Sequence, residues 1–388
     1  MTTTSRMYEF IFILCEIAVL ILYATLTDYS LGVGTFDVSQ ETSLTTKEVM
    51  QTYYPMWQDV HVMIYIGFGF LMVFLKTSSW TAVGFNFLLS AWAFQWSILV
   101  VAFWRHVMSN EWHTKIHLDI NSLVVGDFAA ASCMICYGAL LGKVDLFQMW
   151  FIITLQVVFY GLNEAICIEK YHAIDMGGSM IIHTFGCYFG LAASYFLQRK
   201  KALKEHDEKV VGGYNSQTIA AFGTIFLYMY WPSFNSAAAP AISQQRVVVN
   251  TCLAISGSCI GALACARAFC MKLEMEILLN ATLAGGVVIG AASDVVVSPG
   301  LAIIIGMGGG AISAFGFAYL SEGLRKSIQL HDTCGVHNLH GIPGILGGVL
   351  GSITTALAGS AFKNVAAVQI VFPQVANGHR TFNQQAGF

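Results

Sequence analysis

The sequence predicts an all-α polytopic membrane protein: about eleven transmembrane helices, built on an inverted five-helix repeat. Three observations carry this. Of the 388 residues, 56% are hydrophobic and 11% charged, with a mean hydropathy of +0.64. A soluble domain carries about 25% charged residues, so this chain has too few charges to coat a water-facing surface. The apolar residues fall in runs near the ~20 residues that one helical crossing needs. Finally, a pattern of aspartate, glycine and histidine recurs in two runs that would cross in opposite directions.

The runs lie near residues 8–27, 58–75, 81–104, 121–141, 147–168, 177–197, 216–236, 247–266, 277–297, 300–320 and 337–361. Only Arg6 precedes the first as a basic residue, and no small-residue cleavage site follows, so it reads as an uncleaved anchor. The polar stretch 28–57 (Asp28, Asp37, Glu41, Lys47, Glu48) reads as an outer loop. The first repeat then covers about 58–197 and the second about 216–361, followed by an outer tail over 362–388 in a single domain of residues 1–388.

Basic residues set the orientation. With a cytosolic N-terminus, that side collects Arg6, Lys76, Lys143, Arg199, Lys200, Lys201, Lys204, Lys209, Arg267, Lys272, Arg325 and Lys326. The other side collects Lys47, Arg105, Lys115, Lys170, Arg246, Lys363 and Arg380, and the bias favours the N-terminus inside. The net charge of −3 gives no electrostatic basis for binding nucleic acid. The ten cysteines are too few for a disulfide scaffold, and most lie in apolar runs where a thiol packs as a small hydrophobe. Cys133 and Cys136 have zinc-like spacing but no second ligand pair, so no metal and no cofactor are expected. Asn280-Ala281-Thr282 is a glycosylation-type triplet at a span edge and is expected to be unused. The glycines at 285–286, 306–310 and 341–351 read as close helix packing.

The histidines carry the functional argument. His61, His106, His113, His117, His172, His206 and His379 read as loop or span-end residues. His183 and His340 fall inside spans, where an ionisable group is costly and a functional role is the default hypothesis. Asp175-Met-Gly-Gly178-Ser-Met-Ile-Ile-His183, with Gly190 beyond it, matches Asp332-Thr-Cys-Gly335-Val-His-Asn-Leu-His340, with Gly347 beyond it. The two copies run in opposite directions, as in transporters whose site lies between inverted repeats. Eight residues of helix carry each histidine roughly 12 Å inward from its aspartate, close to half a hydrocarbon core of about 15 Å. The two imidazoles can therefore meet at the centre, share a proton, and line an otherwise apolar pore for a small polar molecule. The alternative is a polar pair that only glues helices together. The aspartates read as helix caps. Glu164 reads as an acid near an outer span end that attracts cations, and Glu16 as an intramembrane acid without an evident partner.

At these residues the sequence resembles the Rhesus (Rh) glycoproteins of the ammonium transporter superfamily. The likeness rests on the two runs above, on His331 through Pro343-Gly344, and on Asn280-Ala-Thr-Leu-Ala-Gly-Gly286. The resemblance implies a plasma-membrane homotrimer in which each subunit has its own pore, and no enzyme activity. It places His183 and His340 as twin pore histidines, and Phe128 and Phe234 as phenylalanines stacked over the outer mouth. It makes Glu164 a vestibule acid, with Asp175, Asp332 and Asn235 capping helices or supporting the pore. Ammonium would be recruited and deprotonated outside, and ammonia would pass the histidines; carbon dioxide is a second implied cargo. Two alternatives stand beside it: a non-conducting structural subunit, and a metallo- or haem enzyme using the two histidines. The family has a further span beginning about where this chain stops, so Gln384 through Phe388 is expected to be its lead-in, with consequences for folding and trimer assembly. The loop 28–57 lacks the Asn-x-Ser/Thr triplet common in vertebrate relatives.

Overall fold

In a computed structural model the chain is a bundle of long, mostly apolar helices. The structure describes residues 3–30, 43–74, 79–197, 213–269, 275, 277–361 and 365–388. The basic run over 198–212, Lys76, Lys272 and Lys363 lie outside the described residues, as do Asp37 and Glu41.

Among the described residues, eleven helical segments follow the eleven predicted runs, all but α9 of thirteen residues or more. They are α1 (Thr3–Leu26), α2 (Ser43–Val62), α3 (Ser79–Ser109), α4 (Ile120–Leu140), α5 (Leu146–Ala165), α6 (Phe185–Leu197), α7 (Tyr214–Ser236), α8 (Ala241–Ala268), α9 (Ala284–Gly290), α10 (Pro299–Phe315) and α11 (Ile342–Ala361). Among the described residues, nine helices are long and apolar enough to cross a membrane. α7 is not among them, and Ile277–Gly290 is apolar but short. Three short helices close the chain: α12 (Val365–Val371), α13 (Pro373–Ala376) and α14 (Phe382–Ala386), the last packed on α11.

The expected outer loop 28–57 is corrected in part: α2 begins at Ser43, so its polar first turns extend a spanning helix that is continuous in apolar character from Met50 to Phe74. Before that, Thr27–Tyr29 (β1) pairs in parallel with Ile116–Leu118 (β2), tying α1 to the segment leading into α4. Glu16 also gains a partner. Its Oε2 accepts a hydrogen bond of 2.7 Å from Gln95 Nε2, docking α1 on α3 through two polar side chains within the spans.

Helix starts follow local chemistry. Asp119 and Asp145 cap α4 and α5 as reciprocal boxes with Ser122 and Gln148. Ser298 caps α10, whose first residue is Pro299. α4 is the most enclosed span: Ala129 through Ala131, Cys133 and Cys136 are fully buried. The Cys-x2-Cys pair therefore packs in the core.

α8 and α10 form the tightest pair. A Cβ built on Gly306 would lie 1.8 Å from the Ala254 carbonyl oxygen, and one on Gly310 2.0 Å from that of Ser258. Backbone cannot yield as a flexible side chain can, and such contact is how membrane helices gain packing energy without a hydrophobic drive. Gly306→Ala is expected to force the helices apart and cost about 2–3 kcal/mol. Gly308 has open space around its Cβ position, so Gly308→Ala should be neutral or slightly stabilising. Thermal unfolding of the two variants in detergent checks the contrast.

Candidate functional site: a histidine pair beneath two phenylalanines

Both copies of the repeated motif fold in the same way. Gly178 and Gly335 sit at φ +65° and +68°, a conformation that disfavours any side chain. Each glycine turns the chain sharply into a helix, and the motif aspartate then caps that start. Asp175 Oδ2 accepts from the N–H groups of Met180 and Ile181 at 2.9 and 2.8 Å. Asp332 accepts from Val336 and His337 at 3.0 and 2.8 Å. The histidines themselves lie in π-helical turns, Ser179–Thr184 and His337–Gly341, just before α6 and α11. A π turn inserts one extra residue and re-aims the side chains after it.

The two histidines meet. His183 Nδ1 lies 3.1 Å from His340 Nδ1, and the rings are parallel within 7° at a centroid separation of 5.1 Å. Both are buried, at 1% and 3% exposure. At that distance one nitrogen donates and the other accepts, so the pair carries one shared proton between its facing atoms. His183 Nε2 has no hydrogen-bond partner in the protein and is free to face a small polar molecule.

Aromatic rings build the walls. Trp231 stacks on His183 at 5.7 Å, and Phe68 lies 6.3 Å from His340. Phe128 and Phe234 pack together at 4.9 Å, and Phe234 lies 5.7 Å from His183. Thus the phenylalanines cover the histidine pair on its Asp175 side. Asn235 donates to Thr251 Oγ1 at 3.0 Å and to the Gly286 carbonyl at 3.1 Å, fixing the segment that carries Phe234. On the other side, a cavity of about 170 Å³, partly open to solvent, runs from His340 past Phe68, Met134 and Leu339 to Asp332 and Thr333.

At the far end of that cavity Lys143 ties the halves together. Its Nζ donates to the carbonyls of Ala139 and His331 at 2.7 and 2.5 Å and to Ser194 Oγ at 2.7 Å. Burial pushes this amine down to about 8 even though Asp332 lies near it.

Two features were not evident from the sequence. His61, read as a span-end residue, bonds through Nδ1 to Asp127 Oδ1 at 2.9 Å, and Asp127 is fully buried beside Phe128. An aspartate inside an apolar run was the available signal. Glu164, read as an open cation-attracting acid, is 7% exposed and held by a two-pronged contact with Arg105. The Asn280 triplet is also buried, at 8% exposure. Among the described residues, no cluster of three or more His, Cys, Asp or Glu has metal-holding geometry.

A buried histidine pair where two oppositely directed helices meet, inside a bundle of apolar spans, defines a multi-pass membrane protein with a narrow polar centre. The chain belongs to the ammonium transporter family, whose model matches residues 18–378. It is 44% identical over 308 residues to the ammonium transporter Rh type C of Xenopus laevis, covering 79% of this chain and 64% of that protein. It is 40% identical over 352 residues to the human Rh type C protein, covering 89% and 72%. The chain therefore spans about two thirds of the length of these relatives. Among solved structures, Nitrosomonas europaea Rh50 superposes with a TM-score of 0.69 at 28% identity, covering 88% of this chain and 86% of that one. Saccharomyces cerevisiae Mep2 shares the fold at a TM-score of 0.65 and 20% identity, with coverage of 94% and 91%.

The Asp175 carboxyl sits in the loop before its π turn, and its Oδ1 has no hydrogen-bond partner in the protein. Burial pushes it from its ordinary 3.8 up to about 6, against the pull of the N–H groups it caps. The folded state then holds a proton that the unfolded state releases between those values. Stability from this group is present below pH ~4 and is lost as pH rises through ~6. Asp175→Asn removes the titration. The stability difference, wild type minus variant, should fall by up to about 3 kcal/mol between pH 4 and 6, at about 1.4 kcal/mol per tenfold change in proton affinity. Unfolding temperatures measured across that range test this, and a flat difference would refute it.

Proposed function

We propose that the protein conducts ammonia across the plasma membrane, with ammonium recruited and deprotonated at the Phe128–Phe234 end. The observation that carries this reading is the 3.1 Å contact between His183 and His340. A bare cation at a bilayer centre costs several kcal/mol, whereas neutral ammonia avoids most of that penalty. A neutral imidazole pair offers both a donor and an acceptor to such a molecule without adding a charge. In this reading Phe128 and Phe234 form the outer gate, and Trp231 backs His183. Asp175 and Asp332 hold the turns that present the histidines, and Asn235 holds the gate segment. Glu164, paired with Arg105, is the acid of the outer vestibule that recruits the cation. The inner cavity accepts ammonia and returns it to water. The N-terminus is cytosolic, as the basic residues indicate, the protein works as a homotrimer with one pore per subunit, and carbon dioxide is a second candidate cargo. The likeness to Rh type C proteins and to Rh50 supports this assignment.

Stopped-flow pH measurement in proteoliposomes under an inward ammonium gradient tests it. Wild type is expected to alkalinise the interior faster than empty liposomes. His183→Ala should change that rate by about tenfold or more, while folded protein is still obtained despite a loss of about 1–3 kcal/mol of stability from the His340 nitrogen left unpaired. Traces equal to empty liposomes from folded protein would favour a structural subunit instead.

A further inference from the structure

The vestibule acid already has a cation. Arg105 Nε reaches Glu164 Oε2 at 3.2 Å and Nη2 contacts Oε1, so both carboxylate oxygens are engaged. Such a fork matches carboxylate geometry and carries a permanent charge. The exposures of the two side chains are unequal: 9% for Glu164 and 38% for Arg105. The carboxylate is buried at the end of α5, while the Arg105 side chain is partly exposed. Arg105 lies near the C-terminal end of α3, one residue before its last turn begins at His106. Glu169 and Tyr160 are the other titratable groups in its field. Nearby, Lys170 Nζ is engaged by the Met108 carbonyl at 2.8 Å. An ammonium ion arriving at this wall therefore meets a neutralised carboxylate, and binding there requires the guanidinium to yield.

We propose that Arg105 is a built-in competitor for the cation that Glu164 recruits, and that it sets the ammonium concentration at which the outer vestibule fills. This rests on the conduction reading above. A salt bridge that merely ties α3 to α5 makes a different prediction: losing it would lower stability without changing the concentration dependence of transport. Competition instead moves the half-saturating concentration and spares the plateau. A carboxylate freed of its partner binds a diffusing cation more tightly, whereas the rate beyond the gate is set by the histidine pore.

The test is the initial rate of interior alkalinisation against ammonium concentration, in proteoliposomes of full-length wild type, Arg105→Gln, Arg105→Lys, Glu164→Gln and the Arg105→Gln/Glu164→Gln double variant. Arg105→Gln should lower the half-saturating ammonium concentration at least about threefold, with a plateau close to wild type. The double variant should lose that gain. Arg105→Lys keeps the charge but not the fork, so it should shift the same way by less; it carries the test if the glutamine variant fails to fold. Saturable wild-type flux with an unchanged or raised half-saturating concentration in the Arg105 variants overturns the proposal and leaves conduction standing. Wild-type traces equal to empty liposomes overturn the conduction reading, and this proposal with it.

Discussion

Two imidazoles carried in from opposite ends of the molecule meet at 3.1 Å, and much of the surrounding architecture bears on that contact. Burying an imidazole far from water is costly unless its polar atoms find partners. Here the facing nitrogens satisfy each other across rings that are parallel within 7°. A helix displaced by an ångström would turn a shared proton into two unsatisfied nitrogens. The backbone near the pair is held accordingly. Ser179 Oγ donates to the Val287 carbonyl and accepts from the Ala291 N–H, joining the first half to the second immediately before His183. Gly344 and Gly347 let α11 pass against Ser179 and Thr184 with no side chain between them.

The two approaches to the histidine pair are built from the same motif but finished differently. At the Phe128 end, aromatic rings close over the histidines and the acids are paired, Glu164 with Arg105 and Asp127 with His61. Asp59 likewise accepts from Ser233 at 2.6 Å, just before Phe234. At the Asp332 end, Lys143 ties the loop before the second motif to the first half, and the wall opens into a cavity. An inverted repeat makes the backbone of the two halves alike. The difference in access therefore comes from side chains outside the motif.

Much of this was legible in the sequence, for identifiable reasons. The apolar runs reported the spans because lipid imposes a length on every crossing. The Asp-x2-Gly spacing reported a cap and a left-handed turn, since both are local requirements of the chain. The meeting of His183 and His340 was legible because direction and distance followed from the count of crossings. What escaped was non-local or broke the helical period. The π turns at both histidines are not written in any 3.6-residue pattern. The partners of Glu16, His61 and Glu164 lie on other helices, and a single sequence does not say which helix lies alongside. α2 starts at Ser43 because a spanning helix need not stop where its apolar residues do, so polarity alone misplaced its first turns into a loop.

Partnered polar groups inside the bundle bear on function as much as on stability. Gln95 holds Glu16, and Gln156 Nε2 donates to the Ser132 carbonyl at 3.0 Å, so these side chains tie helices together. Other buried polar atoms have no protein partner, Gln156 Oε1, Asn86 Oδ1 and Ser313 Oγ among them. His183 Nε2, Trp231 Nε1 and Asn235 Oδ1 are buried without a protein partner. In a lipid-surrounded interior no bulk water reaches such atoms, and each carries a desolvation cost. A pore for a small polar molecule keeps them unpaired, because a passing molecule that donates and accepts hydrogen bonds offsets the cost only while it is there. In the conduction reading, unpaired atoms beside a histidine pair satisfied on its facing nitrogens favour transit over tight binding.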